Sequence, residues 1–389
     1  MGETLSRNDI YSWSYQLVLD LVGNDLEWVA YLAATLSVVM LVVNGVLLLG
    51  TGYTWFERRL LGRFQNRLGP NRAGPFGVLQ PIADAIKLLF KEDIVPRAAD
   101  RTIFTIAPVV MIAPTLLVLA VIPFGPGSWV ADLNIGLLYI SAVSGIAAIA
   151  VLMAGYASAN KFATFGSMRA AAMLVSYEVP LVMSLLGVTI LAGSMSLIDV
   201  VMAQTIPYVI VTPLGVLIFL TAISAELNRN PFDLNEAESE IVAGYMTEYS
   251  GMKYGIFMLA EFTNTVVAGA IFVVLFLQGW HWSFLPGHLW FFIKVGGFIF
   301  VATWVRATLP RFRLDQILTL AWKGLFPLSL VNVLALALEV NIWGQDGLSS
   351  HELWIMAGIN WTIAIIAIVV IGRFVSLRTT PAAARIGLG

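Results

Sequence analysis

Residues 28–55 read WVAYLAATLSVVMLVVNGVLLLGTGYTW and contain no charged side chain. A helix needs about 20 mostly apolar residues to cross a membrane, so this stretch is long enough to span one. Eight further mostly apolar stretches follow: residues 102–123, 135–157, 171–192, 207–225, 255–277, 289–304, 322–340 and 353–371. They are too long for the strands of a transmembrane barrel, which need about 10 residues each. The sequence therefore predicts an all-α polytopic membrane protein with about nine transmembrane helices.

The composition of the whole chain supports the same fold class. Of the 389 residues, 59% are hydrophobic and 12% are charged, and the mean hydropathy is +0.84. Soluble domains contain about 45–50% apolar and about 25% charged residues, so a soluble globular protein is excluded. The chain has no cysteine. It therefore holds no disulfide, zinc–thiolate site or cysteine-bound iron–sulfur cluster of its own.

The distribution of Lys and Arg predicts the orientation, because these residues are enriched in cytoplasmic loops. Nine of the 22 basic residues lie between Arg58 and Arg101, and most of the others lie in alternate later loops or after the last span. The loops around residues 124–134, 193–206, 278–288 and 341–352 have none. We therefore expect the N-terminus outside and the C-terminus in the cytoplasm.

This orientation assigns a side to each part of the chain. We expect a single membrane domain, 1–389, with an outer N-terminal segment, 1–27, and a cytoplasmic tail, 372–389. The outer segment carries five acidic residues and one basic residue, whereas a cleavable signal peptide begins with a basic region. We therefore expect no signal peptide there. The three histidines fall in outer loops, so we expect no haem or metal site held by histidine within the bundle. They are His281, His288 and His351.

The first inner loop contains an amphipathic pattern. Residues 76–91, FGVLQPIADAIKLLFK, place six apolar side chains on one helical stripe and Gln80, Asp84, Lys87 and Lys91 on another. Such a helix lies in the membrane interface or, equally, supports the bundle from its surface. The preceding residues, 56–77, contain five arginines. These arginines contact lipid headgroups, or they form a basic mouth for an anionic or carbonyl-bearing ligand.

The fifth inner loop, residues 226–253, is acidic although it lies on the basic side. Asp233 and Glu236 have the spacing of a helix cap and its capping-box partner, which explains two of its carboxylates. Glu236 and Glu240 are four residues apart and would share a helix face, so we expect some of these carboxyls to titrate together. The loop contains Glu226, Asp233, Glu236, Glu238, Glu240 and Glu248, against Arg229 and Lys253.

Two carboxyls lie inside otherwise apolar stretches. Glu178 and Glu261 are well within predicted spans, and Glu57 and Glu226 are at inner ends. A charged group at a helix centre costs about 2.5–3.5 kcal/mol on insertion scales. Such residues form a buried salt bridge, remain as neutral hydrogen-bonded acids, or relay protons.

Four segments of the chain resemble the H subunit of the bacterial type I NADH:quinone oxidoreductase, the equivalent of subunit 1 of mitochondrial complex I. The segments are FERRLLGRFQNRLGPNRAGPFGVLQPIADAIKLLFKED, MRAAAMLVSYEVPL, AELNRNPFDLNEAESEIVAGYMTEYSGMKYGIFMLAEF and WVRATLPRFRLDQILTLAWK. They cover over a quarter of the chain in family order. Long runs such as PFDLxExESE are specific. The chain departs from the family pattern at Gly145, where some members carry a carboxylate, and at Tyr156, where many carry tryptophan.

The resemblance implies a role in a large assembly. The subunit forms the quinone passage from the bilayer and part of a carboxylate-lined proton path, in the cytoplasmic (inner) membrane of a bacterium. It implies no cofactor on this chain, with quinone as substrate and the flavin and iron–sulfur clusters in partner subunits. The partners it implies are hydrophilic-arm subunits, which carry the terminal cluster and the quinone headgroup site, small membrane-arm subunits, quinone and lipid, but no nucleic acid.

The resemblance also transfers roles to individual residues. Arg58, Asp84 and Arg306 match positions along or near the quinone channel. Arg63, Arg311 and Arg313 either serve the channel or dock partner subunits. The proton path would contain Glu178, Glu226, Asp233, Glu236, Glu238, Glu240, Glu248 and Glu261.

Two other classes of protein remain open at this stage. One is the equivalent anchor subunit of a related membrane-bound hydrogenase or of a ferredoxin- or F420-dependent complex. The other is an independent ion-coupled transporter, although an acidic inner loop and an interfacial helix suit a docking platform better.

Overall fold

The computed structural model of the chain describes residues 9–22, 27–233, 241–282, 284–343 and 349–378. Most of these residues are helical. In chain order the α-helices are α1 (Asp9–Val22), α2 (Glu27–Phe64), α3 (Gln80–Phe90), α4 (Arg101–Leu119), α5 (Gly136–Ser144), α6 (Ile146–Ala157), α7 (Lys161–Ala192), α8 (Leu197–Ala203), α9 (Tyr208–Val211), α10 (Pro213–Glu226), α11 (Gly251–Phe276), α12 (Gly287–Thr308), α13 (Leu314–Thr319), α14 (Phe326–Trp343) and α15 (Ser350–Arg378). The prediction of an all-α polytopic membrane protein is confirmed.

Within the described residues, eight helical segments are long and apolar enough to cross a membrane. The stretch 207–225 differs from the expected full span. It consists of α9, with four residues, and α10, with 14 residues. Proline has no N–H and disfavours a helical conformation at the preceding residue, so the helix is interrupted at Thr212, before Pro213. The nine predicted spans are thus eight long segments and one shorter apolar helix.

Two of the long segments are irregular. The third span changes from α5 to α6 at Gly145, and the eighth passes from α13 to α14 through a π-helical turn, Leu320–Leu325. Within this turn, the indole Nε1 of Trp322 donates a hydrogen bond to Ser176 Oγ at 3.2 Å. The π-helical turn is therefore fixed to α7 in the centre of the bundle.

The core of the bundle surrounds α7, α10 and α11. Helix α11 is buried over most of its length, whereas α2 and α12 are largely exposed. Their outward side chains are large and apolar, such as Leu36, Leu48 and Ile293. An apolar surface of this extent needs lipid or partner helices around it.

The predicted amphipathic segment forms a helix, α3, which begins four residues later than expected, after a 3₁₀ turn at Pro75–Gly77. None of the residues of α3 is buried. Its apolar stripe, including Ile82, Ile86 and Leu89, is exposed on the isolated chain. The placement of this stripe in the membrane interface stays a prediction.

Candidate functional site

Four charged side chains meet in the interior of the bundle; we call Glu57, Arg229, Glu261 and Arg306 the inner charge cluster. The Arg229 Nη1 atom lies 3.0 Å from Glu57 Oε1 and 3.2 Å from Glu57 Oε2. The Arg229 Nε atom is 3.2 Å from Glu261 Oε1. Arg306 Nη1 also bonds Glu57 Oε1. The formal charges of the four groups sum to zero.

The cluster is assembled from four separate segments of the chain. Glu57 comes from α2, Glu261 from α11 and Arg306 from the last turn of α12, while Arg229 follows the end of α10. The side chains of Glu57 and Arg229 are only 3% and 7% exposed. Removing one partner of such a buried pair typically costs about 3–5 kcal/mol, because the remaining charge is uncompensated. The cluster therefore ties these four segments together.

Aromatic rings enclose the guanidinium of Arg229. Its Cζ atom lies 4.6 Å from the centroid of the Phe262 ring and 5.9 Å from that of Tyr53. A cation over a ring face is stabilised by the ring quadrupole, more so where water is excluded. The Tyr53 hydroxyl in turn lies 3.5 Å from Thr303 Oγ1. The rings keep the position of Arg229 fixed relative to α2, α11 and α12.

The first inner loop forms a second, more exposed polar site. Arg58 Nη1 lies 2.5 Å from Asp84 Oδ2, and Gln80 Nε2 donates to Asp84 Oδ1 at 3.1 Å. Burial opposes ionisation of Asp84, but the hydrogen bonds from Arg58 and Gln80 and the charges of Arg58 and Lys87 outweigh it. The pKa of Asp84 therefore lies below its ordinary value.

Arg59 belongs to the same mouth but has other partners. Its guanidinium lies between the rings of Trp55 and Phe76, at 5.5 Å and 5.0 Å from their centroids, and donates to the Phe76 carbonyl at 2.6 Å. The Trp55 indole donates to the same carbonyl at 3.1 Å. These contacts hold the 3₁₀ turn before α3 against α2.

The arginines predicted for the quinone channel do not form one group. Arg58 pairs with Asp84, whereas Arg306 bonds Glu57 in the inner charge cluster. Consecutive helical residues point in different directions, so Glu57 and its neighbour Arg58 serve different sites. Arg63 is exposed at the end of α2.

The two remaining arginines lie near the loop between α12 and α13. Arg311 Nη2 is 3.2 Å from Asp233 Oδ2. The backbone N–H of Arg313, before α13, donates to the Gln316 side chain at 3.1 Å. Arg311 thus joins this loop to the first residues of the acidic loop.

Two adjoining cavities share Glu226. The smaller one is lined by Glu178, Glu226, Ser144 and Gly145, among others. The larger one is mostly apolar, with Glu226, Asn264 and two serines as its polar lining. The Oε2 atom of Glu226 is buried and has no hydrogen-bond partner among the described residues. We call Glu178, Glu226 and these two spaces the carboxyl cavity.

The absence of a side chain at Gly145 leaves space for the Glu178 carboxyl. A Cβ atom at position 145 would lie 2.9 Å from Glu178 Oε1, closer than real Cβ contacts. Asn264 also lines the larger cavity, and its amide oxygen accepts a hydrogen bond from Thr115 Oγ1 at 2.9 Å. Polar groups therefore line a route from Glu178 past Glu226 to Asn264.

The other predicted proton-path residues fall in or near the acidic loop. Glu248 Oε1 accepts a hydrogen bond from Asn160 Nδ2 at 2.6 Å, next to the first turn of α7. Asp233 pairs with Arg311, as described above. Glu236, Glu238 and Glu240 lie outside the described residues, as does the predicted capping box of Asp233 with Glu236.

Three features of the site are not predicted by the sequence. Arg229 has the pattern of a loop cation, yet it is the centre of the buried cluster, and Glu57 was assigned no role. Glu339 was not among the predicted residues, although it lies within an apolar stretch as Glu178 does; its Oε2 accepts a hydrogen bond from Asn360 Nδ2 at 2.9 Å. Nothing in the sequence marks Arg229, because an arginine after a predicted span also fits the positive-inside rule.

Lys294 lies within a predicted span but has a structural explanation. Its ammonium donates to the carbonyls of Leu277, Gly279 and His281 at 2.7, 2.9 and 3.1 Å. It therefore caps the C-terminal end of α11, where carbonyl groups lack helical partners. No group of three or more His, Asp or Glu side chains in the described part of the chain is placed to hold a metal ion.

The fold and these sites define a multi-pass α-helical membrane protein with buried carboxyls and a buried arginine cluster. The model of the family described as NADH dehydrogenase matches residues 36–337. The NADH-quinone oxidoreductase H subunit of Dehalococcoides mccartyi strain CBDB1 is 47% identical over 350 residues, which cover 90% of this chain and 97% of that protein. This chain therefore belongs to the NADH dehydrogenase family of NADH-quinone oxidoreductase H subunits.

Further relatives agree with this assignment. The H subunit of Geobacillus kaustophilus strain HTA426 is 50% identical over 293 residues, which cover 74% of this chain and 88% of the relative. The H subunit numbered 2 of Syntrophobacter fumaroxidans is 46% identical over 319 residues, covering 79% and 96%. The resemblance seen in the sequence is confirmed, and membership of a multi-subunit oxidoreductase implies partner subunits.

Proposed function

We propose that this chain is a non-redox subunit of a proton-translocating NADH:quinone oxidoreductase in the bacterial inner membrane. It forms the quinone passage and couples quinone reduction to proton translocation. The flavin and iron–sulfur clusters then lie in partner subunits, among them the hydrophilic-arm subunits next to the quinone headgroup site. Family membership and the names of the relatives support the assignment of the complex.

The first inner loop suits a quinone passage. The exposed apolar stripe of α3 offers a surface for an isoprenoid tail, and Arg58 lies beside it, half exposed and paired with Asp84. A guanidinium can donate hydrogen bonds to the carbonyl of a quinone headgroup. In this proposal Arg58 leaves part of its contact with Asp84 as the headgroup passes.

The observation that carries the coupling proposal is that Glu226 lines both parts of the carboxyl cavity. A carboxyl takes up and releases a proton where apolar side chains cannot. Reduction of a quinone to a quinol takes up two electrons and two protons, so it creates a local demand for protons. Glu226 and Glu178 answer this demand by changing protonation, and Asn264 and the serines order water between them.

The inner charge cluster transmits the same event to the helices. Glu226 and Arg229 are three residues apart on one short segment, so a change at the cavity displaces a residue that binds Glu57 and Glu261. The acidic loop continues from this segment through Asp233 to Glu248. Moving one charge against the membrane potential takes about 2.3 kcal/mol per 100 mV, and quinone reduction must supply it.

The test uses Glu178→Gln and Glu226→Gln in the whole complex, in sealed membrane vesicles. We expect each variant to lower quinone reductase activity or the number of protons moved per electron by about tenfold, as expected for loss of a proton-transfer group. Glu92→Gln is the matched control, because Glu92 is an exposed carboxyl on the same side of the bundle. Wild-type activity and pumping in both cavity variants would refute the proposed path.

A further inference from the structure

Another buried carboxyl, Glu339, belongs neither to the inner charge cluster nor to the carboxyl cavity. The residue is 5% exposed, and it lies four residues before the end of α14 at Trp343. At about 1.5 Å of rise per residue, this places it about 6 Å from that end of the helix. The following loop contains no Lys or Arg, so the positive-inside rule places this end outside.

The contacts of Glu339 leave one oxygen available. Oε2 accepts the hydrogen bond from Asn360 on α15, whereas Oε1 is buried without a hydrogen-bond partner among the described residues. No described cation pairs with either oxygen. A glutamine at this position would join α14 to α15 equally well, so helix packing alone does not explain a carboxyl that costs free energy to bury.

Polar groups approach Glu339 from the inner side along the buried face of α14. Ser329, Asn332 and Glu339 are all buried and follow the helical repeat on this face. A Cβ atom at Gly187 or Gly215 would lie 3.0 Å or 3.2 Å from the Asn332 Nδ2 atom. Asn332 therefore lies against both α7 and α10.

The break in the short span lies at the same level. Thr212, before Pro213, is buried, and its Oγ1 would lie 3.1 Å from a Cβ atom at Gly215. On the other side of the break, Trp361 of α15 donates to the Ile210 carbonyl at 3.1 Å. Backbone that leaves the helical pattern inside a membrane is tolerated where protein or water satisfies its polar groups.

No titratable or charged side chain that the structure describes on the helices packed against α14 forms a hydrogen bond or ion pair with Glu339. Lys323 is 16 residues away along the eighth span, which corresponds to about 24 Å. At the outer end of α15, His351 and Glu352 are eight or nine residues from Asn360, about 12–14 Å along the helix. The others are Lys161, Arg169, Tyr177 and Glu178 on α7 and Glu226 on α10.

We propose that Glu339 is a proton-binding site in the outer half of the bundle, through which protons leave this subunit on the outer side. Each cycle binds one proton at Oε1 from the side of Asn332 and releases one proton to outer water, so the carboxyl returns to its starting state. Asn360 holds Oε2 and fixes the orientation of the group. This inference rests on the proton-coupling role proposed above.

The first test measures protons moved per electron in vesicles containing the whole complex with Glu339→Gln. This variant keeps an amide partner for Asn360 but cannot bind a proton. We expect the ratio to fall about twofold or more, and we expect Glu339→Asp to retain more of it than Glu339→Gln. An unchanged ratio in Glu339→Gln overturns the inference. Glu178→Gln is measured in parallel: if it lowers the ratio while Glu339→Gln does not, only the outer site is wrong.

A second measurement does not depend on pumping. The infrared spectrum of the purified complex should contain a carboxylic acid C=O band that shifts in heavy water and disappears in Glu339→Gln. Asn360→Leu keeps the carboxyl but removes its hydrogen bond, so the same band should move to higher frequency. A spectrum unchanged by both substitutions would show that Glu339 does not hold a proton, and would overturn the proposal.

Discussion

The inner charge cluster and the carboxyl cavity are joined by three residues of chain, yet their buried carboxyls have opposite surroundings. Glu57 and Glu261 contact guanidinium groups at hydrogen-bond distance. Glu178 and Glu226 have no described ion pair and border open space. A buried carboxyl paired with arginine ties the helices that carry the two groups together, whereas a carboxyl beside a cavity has room for water next to it. Burial alone therefore does not distinguish these carboxyls; the presence of a neighbouring cation does.

Removing the central cation of the inner charge cluster, Arg229, tests this difference most directly. Arg229→Leu leaves Glu57 and Glu261 with one arginine between them, in a site from which water is excluded. We expect a loss of about 3–5 kcal/mol of stability, because a buried charge becomes uncompensated. The measurement is the yield and thermal stability of the assembled complex in detergent.

Arg229→Lys serves as the control for Arg229→Leu. It keeps the charge but loses the planar guanidinium that contacts both carboxylates, so we expect an intermediate loss. Wild-type stability of Arg229→Leu would mean that the cluster does not hold the bundle together.

The next largest effect should come from filling the cavity without changing any charge. Gly145→Ala places a methyl group 2.9 Å from the present position of Glu178 Oε1. We expect little loss of stability, because the flexible end of the Glu178 side chain moves away, but a several-fold fall in proton pumping, because the carboxyl leaves its place in the cavity. Gly296→Ala is the matched control, because a Cβ atom there meets nothing within 4 Å. Equal pumping in the two variants would contradict a positional role for Gly145.

The sequence predicted the helical spans well because each span is a local property of about 20 residues. It did not predict the break at Thr212 within residues 207–225, where hydrophobicity is continuous but Pro213 interrupts the helix. It also did not predict which charged side chains pair in the cluster, because Glu57, Arg229 and Arg306 are far apart in the chain. Such contacts depend on tertiary packing, which a single sequence does not display.

Among the candidate residues, too, some were visible from the local sequence and others were not. Glu178 and Glu261 were predicted to matter because a carboxyl inside an apolar stretch is costly, and Glu226 was assigned to the proton path from the family resemblance; these roles stay predictions. The same reasoning applies to Glu339, so that residue was within reach of the sequence. By contrast, the positive-inside rule gives only the side of the membrane on which an arginine lies. It does not distinguish Arg229, which is buried, from Arg63, which is exposed.

A smaller effect is expected at the mouth of the first inner loop. Arg58→Ala should slow quinone reduction while NADH oxidation by a soluble artificial acceptor stays at the wild-type rate, because the acceptor bypasses the quinone passage. Loss of both activities would indicate failed assembly instead. Arg67→Ala is the control, since Arg67 is an exposed arginine of the same loop and its Nε bonds only the nearby Gln65 side chain among the described contacts.

The pH dependence of the Arg58–Asp84 pair follows from the lowered pKa of Asp84. A carboxyl whose pKa is lowered in the folded state stabilises the fold at pH values above its ordinary pKa of about 4. This contribution is lost only as the pH falls through the lowered pKa. The Arg58–Asp84 pair should thus stay intact between about pH 5 and pH 8. Asp84→Asn should therefore leave the shape of the pH–rate profile in this range unchanged, and a changed profile would assign a titration there to Asp84.

The smallest effect is expected at the exposed end of the charged network. Arg311 pairs with Asp233 at 3.2 Å; the Arg311 side chain is 37% exposed, so water and salt reach its guanidinium, whereas the Asp233 side chain is only 8% exposed. We expect Arg311→Ala to cost less than the about 3–5 kcal/mol of Arg229→Leu, because the contact is partly screened and one carboxylate rather than two loses its partner. Thermal unfolding of the two variants side by side, at low and high salt, measures the difference. Because water and salt reach the Arg311 guanidinium but not the Glu57–Arg229 contact, added salt should reduce the effect of Arg311→Ala and leave that of Arg229→Leu nearly unchanged. Equal losses in the two variants would show that burial does not separate these contacts, and that Arg311 fixes the start of the acidic loop as firmly as Arg229 fixes the cluster.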